Sequence, residues 1–276
     1  MTYRVLCSLV LGAFLLAIPA QSGPFTFATG APDGRLGAAS RPGTTTEIET
    51  ADDFILSNAT MINSATFVGL MPAAALSEIT SVGIEFYRVF PLDSVNPPDG
   101  RVPTRTNSPS DNAFMSFNTI AGANVLITLL NANFTVANSV LNGINPSPNQ
   151  TTGGEGPVSG DEVQFTVTFP GGVTLPADHY FFKPEIGLGT GNFYWLSTAR
   201  SAPLFPGDLQ AWIRNTNLDP DWLRIGTDIV GGASPPTYNM AFSLQGTDIP
   251  EPGTLSMMFA GAIGAAILRL RGRRST

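Results

Sequence analysis

Closely spaced carboxylates are the residues of this chain best suited to chemistry: Asp52-Asp53, Asp161-Glu162, and Asp219 with Asp221. Two carboxyl groups facing each other across a cleft can serve as the acid and base of glycoside hydrolysis. Neighbouring side chains on a strand point to opposite faces, so neither adjacent pair can form such a dyad by itself. Solvated turns and edges are the simpler role for these acids. His179 is the only histidine. It lies in a run of strand-like aromatics, His179-Tyr-Phe-Phe-Lys183. A base there would need a nucleophile and an orienting acid brought from elsewhere, and a structural role is simpler. The only cysteine is Cys7, so the body has no thiol and no His/Cys zinc set. The chain has no Walker loop or dinucleotide fingerprint. No catalytic residue is assigned.

Two binding chemistries remain. Asn217-Leu-Asp-Pro-Asp221 places oxygens at Asn217, Asp219 and Asp221, with Asp208 and Asp228 near in sequence. Calcium takes such oxygen clusters. The run lacks the glycine and distal glutamate of an EF-hand loop, and Asx and proline turns account for it equally well. Calcium is the one cofactor the residues offer. Tyr180, Tyr194, Trp195, Trp212 and Trp222 could form a stacking platform for carbohydrate. Phe193 and Trp195 share one strand face and Tyr194 takes the other, so core packing is the better assignment for most of these rings.

The elements that must position these residues are strands. Short runs rich in Val, Ile, Phe, Tyr and Thr recur between turn signals. They include 53–56, 64–69, 81–90, 125–130, 162–169, 179–183, 192–196, 210–214 and 238–244. Val82, Ile84 and Phe86 alternate with Gly83, Glu85 and Tyr87, which predicts one buried and one wetter face. The run 125–130 is a central apolar run, and 134–143 is the place for a short helical turn. Long loops are expected at 91–111 and 142–160. The pattern predicts an all-β body of about nine or ten strands: an antiparallel two-sheet sandwich, jelly-roll-like. Residues 23–247 hold nine Lys and Arg against 19 Asp and Glu, a net charge of −10 that argues against nucleic-acid binding.

Segments of a different kind flank this body. Arg4 precedes an uncharged run to Ile18, then small residues up to Ser22. This is the pattern of a secretory signal helix at 1–22, removed by signal peptidase. At the other end, residues 248–276 join Pro250-Glu251-Pro252 to an uncharged apolar run at 255–268 and to Arg269, Arg271, Arg273 and Arg274. Fourteen helical residues reach roughly 21 Å, short of a hydrocarbon core of roughly 30 Å. Flanking arginines can snorkel, so the run reads as a marginal transmembrane helix. The four arginines prefer the cytoplasmic side, which places the body outside the cytoplasmic membrane.

Pro250-Glu251-Pro252, an apolar helix and an Arg-rich end, in that order, resemble the PEP-CTERM sorting signal of Gram-negative and related bacteria. This segment is also called an ice-binding-protein C-terminal domain, a name that implies no ice binding. The resemblance covers about the last tenth of the chain. It implies an exosortase-like membrane protease as partner, with processing near the motif and export toward the cell surface or extracellular polysaccharide. The body also resembles PEP-CTERM proteins of unknown role at Ala51-Asp-Asp-Phe54, Glu85-Phe-Tyr-Arg-Val-Phe90, Val140-Leu-Asn-Gly-Ile-Asn-Pro-Ser-Pro148 and Asp221-Trp-Leu-Arg-Ile-Gly226. That second resemblance implies no activity. The expectation is a non-enzymatic surface or matrix protein, structural or adhesive. The alternative is a secreted carbohydrate-binding module or polysaccharide-active enzyme.

Overall fold

Alternating apolar residues require most of the body to hide one strand face, and the chain does so in two sheets. The computed structural model describes residues 22–249 apart from 44–45, 73–74, 120–123, 146–149 and 201. The described strands are β1 (Pro24–Ala28), β2 (Pro32–Ala39), β3 (Ile48–Leu56), β4 (Thr60–Met71), β5 (Ile79–Val89), β6 (Pro109–Thr119), β7 (Val125–Val136) and β8 (Asn138–Val140). They continue with β9 (Val158–Leu175), β10 (Asp178–Leu188), β11 (Tyr194–Thr198), β12 (Trp212–Asn215), β13 (Leu223–Arg224), β14 (Asn239–Met240) and β15 (Phe242–Asp248). A 3₁₀ turn at Ala75–Glu78 and a π turn at Ile225–Val230 are the described helical pieces. Among the described residues no helix is long and apolar enough to cross a membrane. The signal helix, the sorting motif and the apolar C-terminal run all lie outside the described residues.

Sheet I runs β7-β9-β4 and then divides. The free side of β4 pairs with β15, which carries β1, and near its end with β11, which carries β2, β8 and β14. Sheet II is the ladder β13-β12-β3-β10-β5-β6. Every described pairing is antiparallel except β2 with β8.

The two sheets share one core. Phe67 of β4 stacks on Phe165 of β9 with ring centroids 5.1 Å apart, and Phe182 of sheet II stacks on Phe242 of sheet I at 5.0 Å. These rings and Trp195 are buried in the same cluster. Each contributes roughly 1.5–3 kcal/mol of burial. The chain enters and leaves this body at one corner. β1 pairs along β15, and the Asp248 amide donates to the Gly23 carbonyl at 2.8 Å.

Several local expectations are corrected. Residues 134–140 continue as strand in β7 and β8, with no helical turn. The apolar run Val125–Leu130 lies at a sheet edge: among the described strands β7 pairs only with β9. Val125 and Ile127 pack on the core, but a register shift between Leu129 and Asn131 breaks the alternation, and Leu126, Leu129 and Leu130 are exposed. β1, β2, β6, β8 and β13 have no counterpart among the expected runs. β2 contains Pro32, Gly34 and Gly37, poor strand formers by composition, and is held by Leu36, Ala38 and Ala39 in the core. The wetter face expected at Glu85 and Tyr87 is wet only in part: Glu85 is half-buried, whereas Tyr87 is buried and meets Trp222 edge-on at 5.5 Å.

Candidate functional site

Period-two alternation along sheet II decides what its outer face carries. On β10, Tyr180, Phe182 and Ile186 enter the shared core, so Phe181, Lys183 and Glu185 take the opposite face. β5 pairs beside it with Lys183 opposite Glu85 and Phe181 opposite Tyr87. β12 pairs with β3 so that Arg214 lies opposite Glu49. Four strands thereby bring their polar side chains to one patch.

Lys183, the chain's only lysine, sits at its centre and is 1% exposed. Its Nζ lies 2.6 Å from Glu185, 3.3 Å from Glu49, 3.3 Å from Glu85 and 3.7 Å from Glu47. Arg214 donates from Nε to Glu49, and its Nη1 lies 2.8 Å from the Asp219 carboxylate in an ion pair. Tyr87 donates its hydroxyl proton within reach of Glu49 at 2.9 Å and Glu85 at 2.7 Å. Arg214 also lies over the Trp222 ring, 4.4 Å from its centroid. Beside this network is a cavity of about 200 Å³, lined by Glu47, Glu49, Glu85, Tyr87, Arg214 and Asp219 among others.

The electrostatics follow from burial and neighbours. Glu47 is pushed up to about 7, by burial first and then by the charge of Glu49, with Lys183 opposing. Glu49 is held below its ordinary range: burial works against its ionisation, but Lys183 and Arg214 outweigh it. Burial alone would lower Lys183, yet the glutamates raise it, so the ammonium stays charged. An ionised carboxylate beside one that titrates near neutrality is a distribution suited to proton exchange or to holding a cationic group.

A second cavity, of about 220 Å³, opens on the same outer face, with Asn107, Arg200, Asp208, Gln210, Trp212 and Arg224 in its lining. Asp208 is held by the Arg200 Nε at 3.2 Å and by the Leu204 amide at 2.9 Å. Behind it, the Leu209 amide donates to Asp53 at 3.0 Å, and His179 Nε2 lies 2.6 Å from the same carboxylate. The two members of Asp52-Asp53 do point opposite ways: Asp52 accepts the Met240 amide at 2.7 Å, on the side of sheet I. Asp52 is raised well above its ordinary value by burial and by Asp53. Asp53 is raised by burial, with His179 opposing.

The other sequence candidates fall elsewhere. Asp219 and Asp221 are not aimed together at a cation. Asp219 pairs with Arg214, Asp221 lies 3.0 Å from Arg105 and 3.4 Å from Arg101, and the Asn217 carbonyl accepts from Arg101 at 3.1 Å. Asp228 pairs with Arg224. Among the described residues no group of three or more His, Cys, Asp or Glu is arranged to hold a metal ion. Asp161 and Glu162 lie on β9 of sheet I and line neither cavity. Trp195, Trp212, Trp222 and Tyr180 are buried and Tyr194 is half-buried, so the tryptophans present no exposed platform. Pro250, Glu251, Pro252 and the four C-terminal arginines lie outside the described residues.

The Lys183 network was missed among the sequence candidates. A signal was present in the spacings Glu47-x-Glu49, Glu85-x-Tyr87 and Lys183-x-Glu185, each of which sets two polar groups on one strand face. Compared with known proteins, the chain matches no family model, no curated protein and no solved structure.

Proposed function

We propose that this chain is an exported, non-enzymatic surface or extracellular-matrix protein, a β-sandwich of jelly-roll type delivered by a PEP-CTERM-like segment. The observation that carries this reading is the ordered tail: Pro250-Glu251-Pro252, the apolar run 255–268, then Arg269, Arg271, Arg273 and Arg274. The body's geometry supports it. Gly23 and Asp248 meet at one corner of the described body, and the Ile249 amide is tied to the Ala59 carbonyl at 2.7 Å. Pro250 follows this tied residue in the sequence, so a membrane protease would act just after the folded body. Signal peptidase and an exosortase-like protease are its processing partners, the cytoplasmic membrane its first anchorage, and extracellular polysaccharide its surroundings. The test is cell fractionation and mass measurement of Glu251→Ala and of a truncation after Pro250. Altered mass or localisation is expected in both, and wild-type behaviour in both refutes the sorting role.

A second reading, a carbohydrate-binding or polysaccharide-active protein, is favoured by one observation: four glutamates converge beside an open cavity, and one of them titrates near 7. The buried tryptophans count against a stacking platform. Binding of the purified chain to a glycan array, with turnover of bound glycans followed by mass spectrometry, separates the two readings. No binding and no turnover leaves the first alone.

A further inference from the structure

From Asn112 to Gly154 the chain carries no Asp, Glu, Lys or Arg, in a body whose net charge is −10. That stretch builds β6 beyond Asp111 and all of β7 and β8. β6 and β7 are sheet edges: among the described strands β6 pairs only with β5, and β7 only with β9. Phe117 of β6 meets Phe169 of β9 edge-on at 5.1 Å, so both edges close the same side of the sandwich. Met115, Leu126, Leu129 and Leu130 are exposed on that side, Leu126 by 65%. Charge stands at its margins. The Ser116 hydroxyl donates to Glu85, Arg88 lies over the Phe114 ring, and Asn131 pairs opposite Glu162. An apolar centre within a polar rim is the anatomy of a protein–protein interface.

Edge strands that stay solitary usually carry charge, proline or a bulge. β7 has neither charge nor proline, but its register shifts between Leu129 and Asn131 and again before Phe134. Such irregularities discourage continuous strand pairing and leave the leucines outward, so the side offers side-chain contact. Two properties choose the occupant. Bodies of like charge repel, and this side lets two of them meet without opposed charges at the centre. Twelve residues at ~3.4 Å make an edge of roughly 40 Å, and two sheets ~10 Å apart with their outer side chains make it roughly 20 Å deep. The resulting area, roughly 800 Å², matches what each partner of a stable pair buries.

We propose that two copies of this chain associate about a two-fold axis through the β6–β7 side, with Leu126, Leu129, Leu130 and Met115 at the centre of the contact. A two-fold axis presents the same neutral patch from both copies and closes the assembly at a dimer. The pairing is separate from the sorting role: a Glu251→Ala chain should dimerise as the wild type does.

The test uses the full chain in a zwitterionic detergent, its protein mass followed by size-exclusion chromatography with light scattering. At ~10 μM the wild type is expected at twice the mass of one chain. Leu126→Asp and Leu130→Asp should each raise the dissociation constant roughly a hundredfold, because like charges then face each other across the axis. Leu204→Asp adds the same charge at another exposed leucine, beside Phe205, which packs on Phe27 of β1 at the opposite edge of sheet I. It should leave the dimer intact. A second measurement avoids charged variants. In a Cys7→Ser background in lipid vesicles, Leu126→Cys should be linked into covalent dimers by a bismaleimide, and Leu204→Cys should not. A wild type monomeric up to about 100 μM overturns the proposal and leaves the patch to a lipid surface or another protein. A dimer that survives both aspartates also overturns it, since the contact then runs through the C-terminal segment or another face. So does a mass that climbs without limit, or a Leu126→Cys chain that links no better than Leu204→Cys.

Discussion

Replacing Lys183 with methionine removes the one ammonium from a patch where four glutamates lie 2.6–3.7 Å from it. Methionine fills nearly the same volume, so the loss is one of charge. Glu49 and Glu185 are each under 10% exposed; Glu49 would keep Arg214 beside it, while Glu185 would lose its ion pair with Lys183. Removing one partner of a buried ion pair costs about 3–5 kcal/mol, because a charge is left uncompensated. For a body of this size each kcal/mol moves Tm by about 2–4 °C, so Tm should fall by about 10 °C at neutral pH. The pH dependence separates charge from packing. In the wild type the lowered pKa of Glu49 contributes stability that is present above its ordinary 4.5 and lost as pH falls through the folded value. Without Lys183 only Arg214 and Tyr87 are left to oppose burial at Glu49, so this contribution shrinks. The gap between variant and wild type should be small near pH 4 and full near pH 7.5. Urea unfolding followed by tryptophan emission at both pH values measures it. A loss under about 1 kcal/mol at pH 7.5, or an equal loss at both pH values, would falsify the electrostatic account.

Glu47 is 40% exposed, and its folded pKa of about 7 stands above the ordinary 4.5. It therefore contributes stability that is fully present below pH 4.5 and lost as pH rises through 7. The shift converts to about 3.4 kcal/mol, and solvent screening reduces this to roughly 1 kcal/mol. Glu47→Gln should flatten the decline in Tm between pH 5 and 8, and an unchanged slope rules the account out. Millimolar calcium or EDTA should leave Tm unchanged, since Asp219 and Asp221 are paired with arginines; a calcium-dependent rise of several degrees in a thermal scan would restore the cation site. A Cβ at Gly69 would lie 2.0 Å from the buried Phe193 ring, at the point where β4 meets β11. Gly69→Ala should cost at least 2 kcal/mol in urea unfolding, and Gly69→Ala with Phe193→Leu should recover part of it; a neutral single variant contradicts that contact.

Much of the fold was legible where local pattern and tertiary demand agree. Val163, Phe165, Val167 and Phe169 alternate in β9, and all four are buried. Val82, Ile84 and Phe86 do the same in β5. Legibility failed where a strand is made by its neighbours: β2 is poor in β-formers yet is held between β11 and β8. It failed again at β7, whose hydrophobic run implied the interior but whose single pairing leaves it at an edge. At the candidate sites, single facts such as the lone Lys183 and the opposed directions of Asp52 and Asp53 could be read, but their partners could not.

From the sequence alone come the β-rich character of the body, its acidic charge, the absence of a cysteine from it, and the ordered tail that resembles a sorting signal. These depend on residue type and short-range spacing, which a linear reading preserves. Tertiary structure decided that Glu47 and Glu49 from β3 and its approach, Glu85 from β5, Lys183 and Glu185 from β10 and Arg214 from β12 meet on one outer face of sheet II. It also decided that the Trp195 and Trp222 indoles find carbonyl partners, while no described residue accepts from Trp212. Strand order brings together residues more than a hundred positions apart. No local propensity encodes that order, because it follows from which faces and edges the whole chain can bury at once.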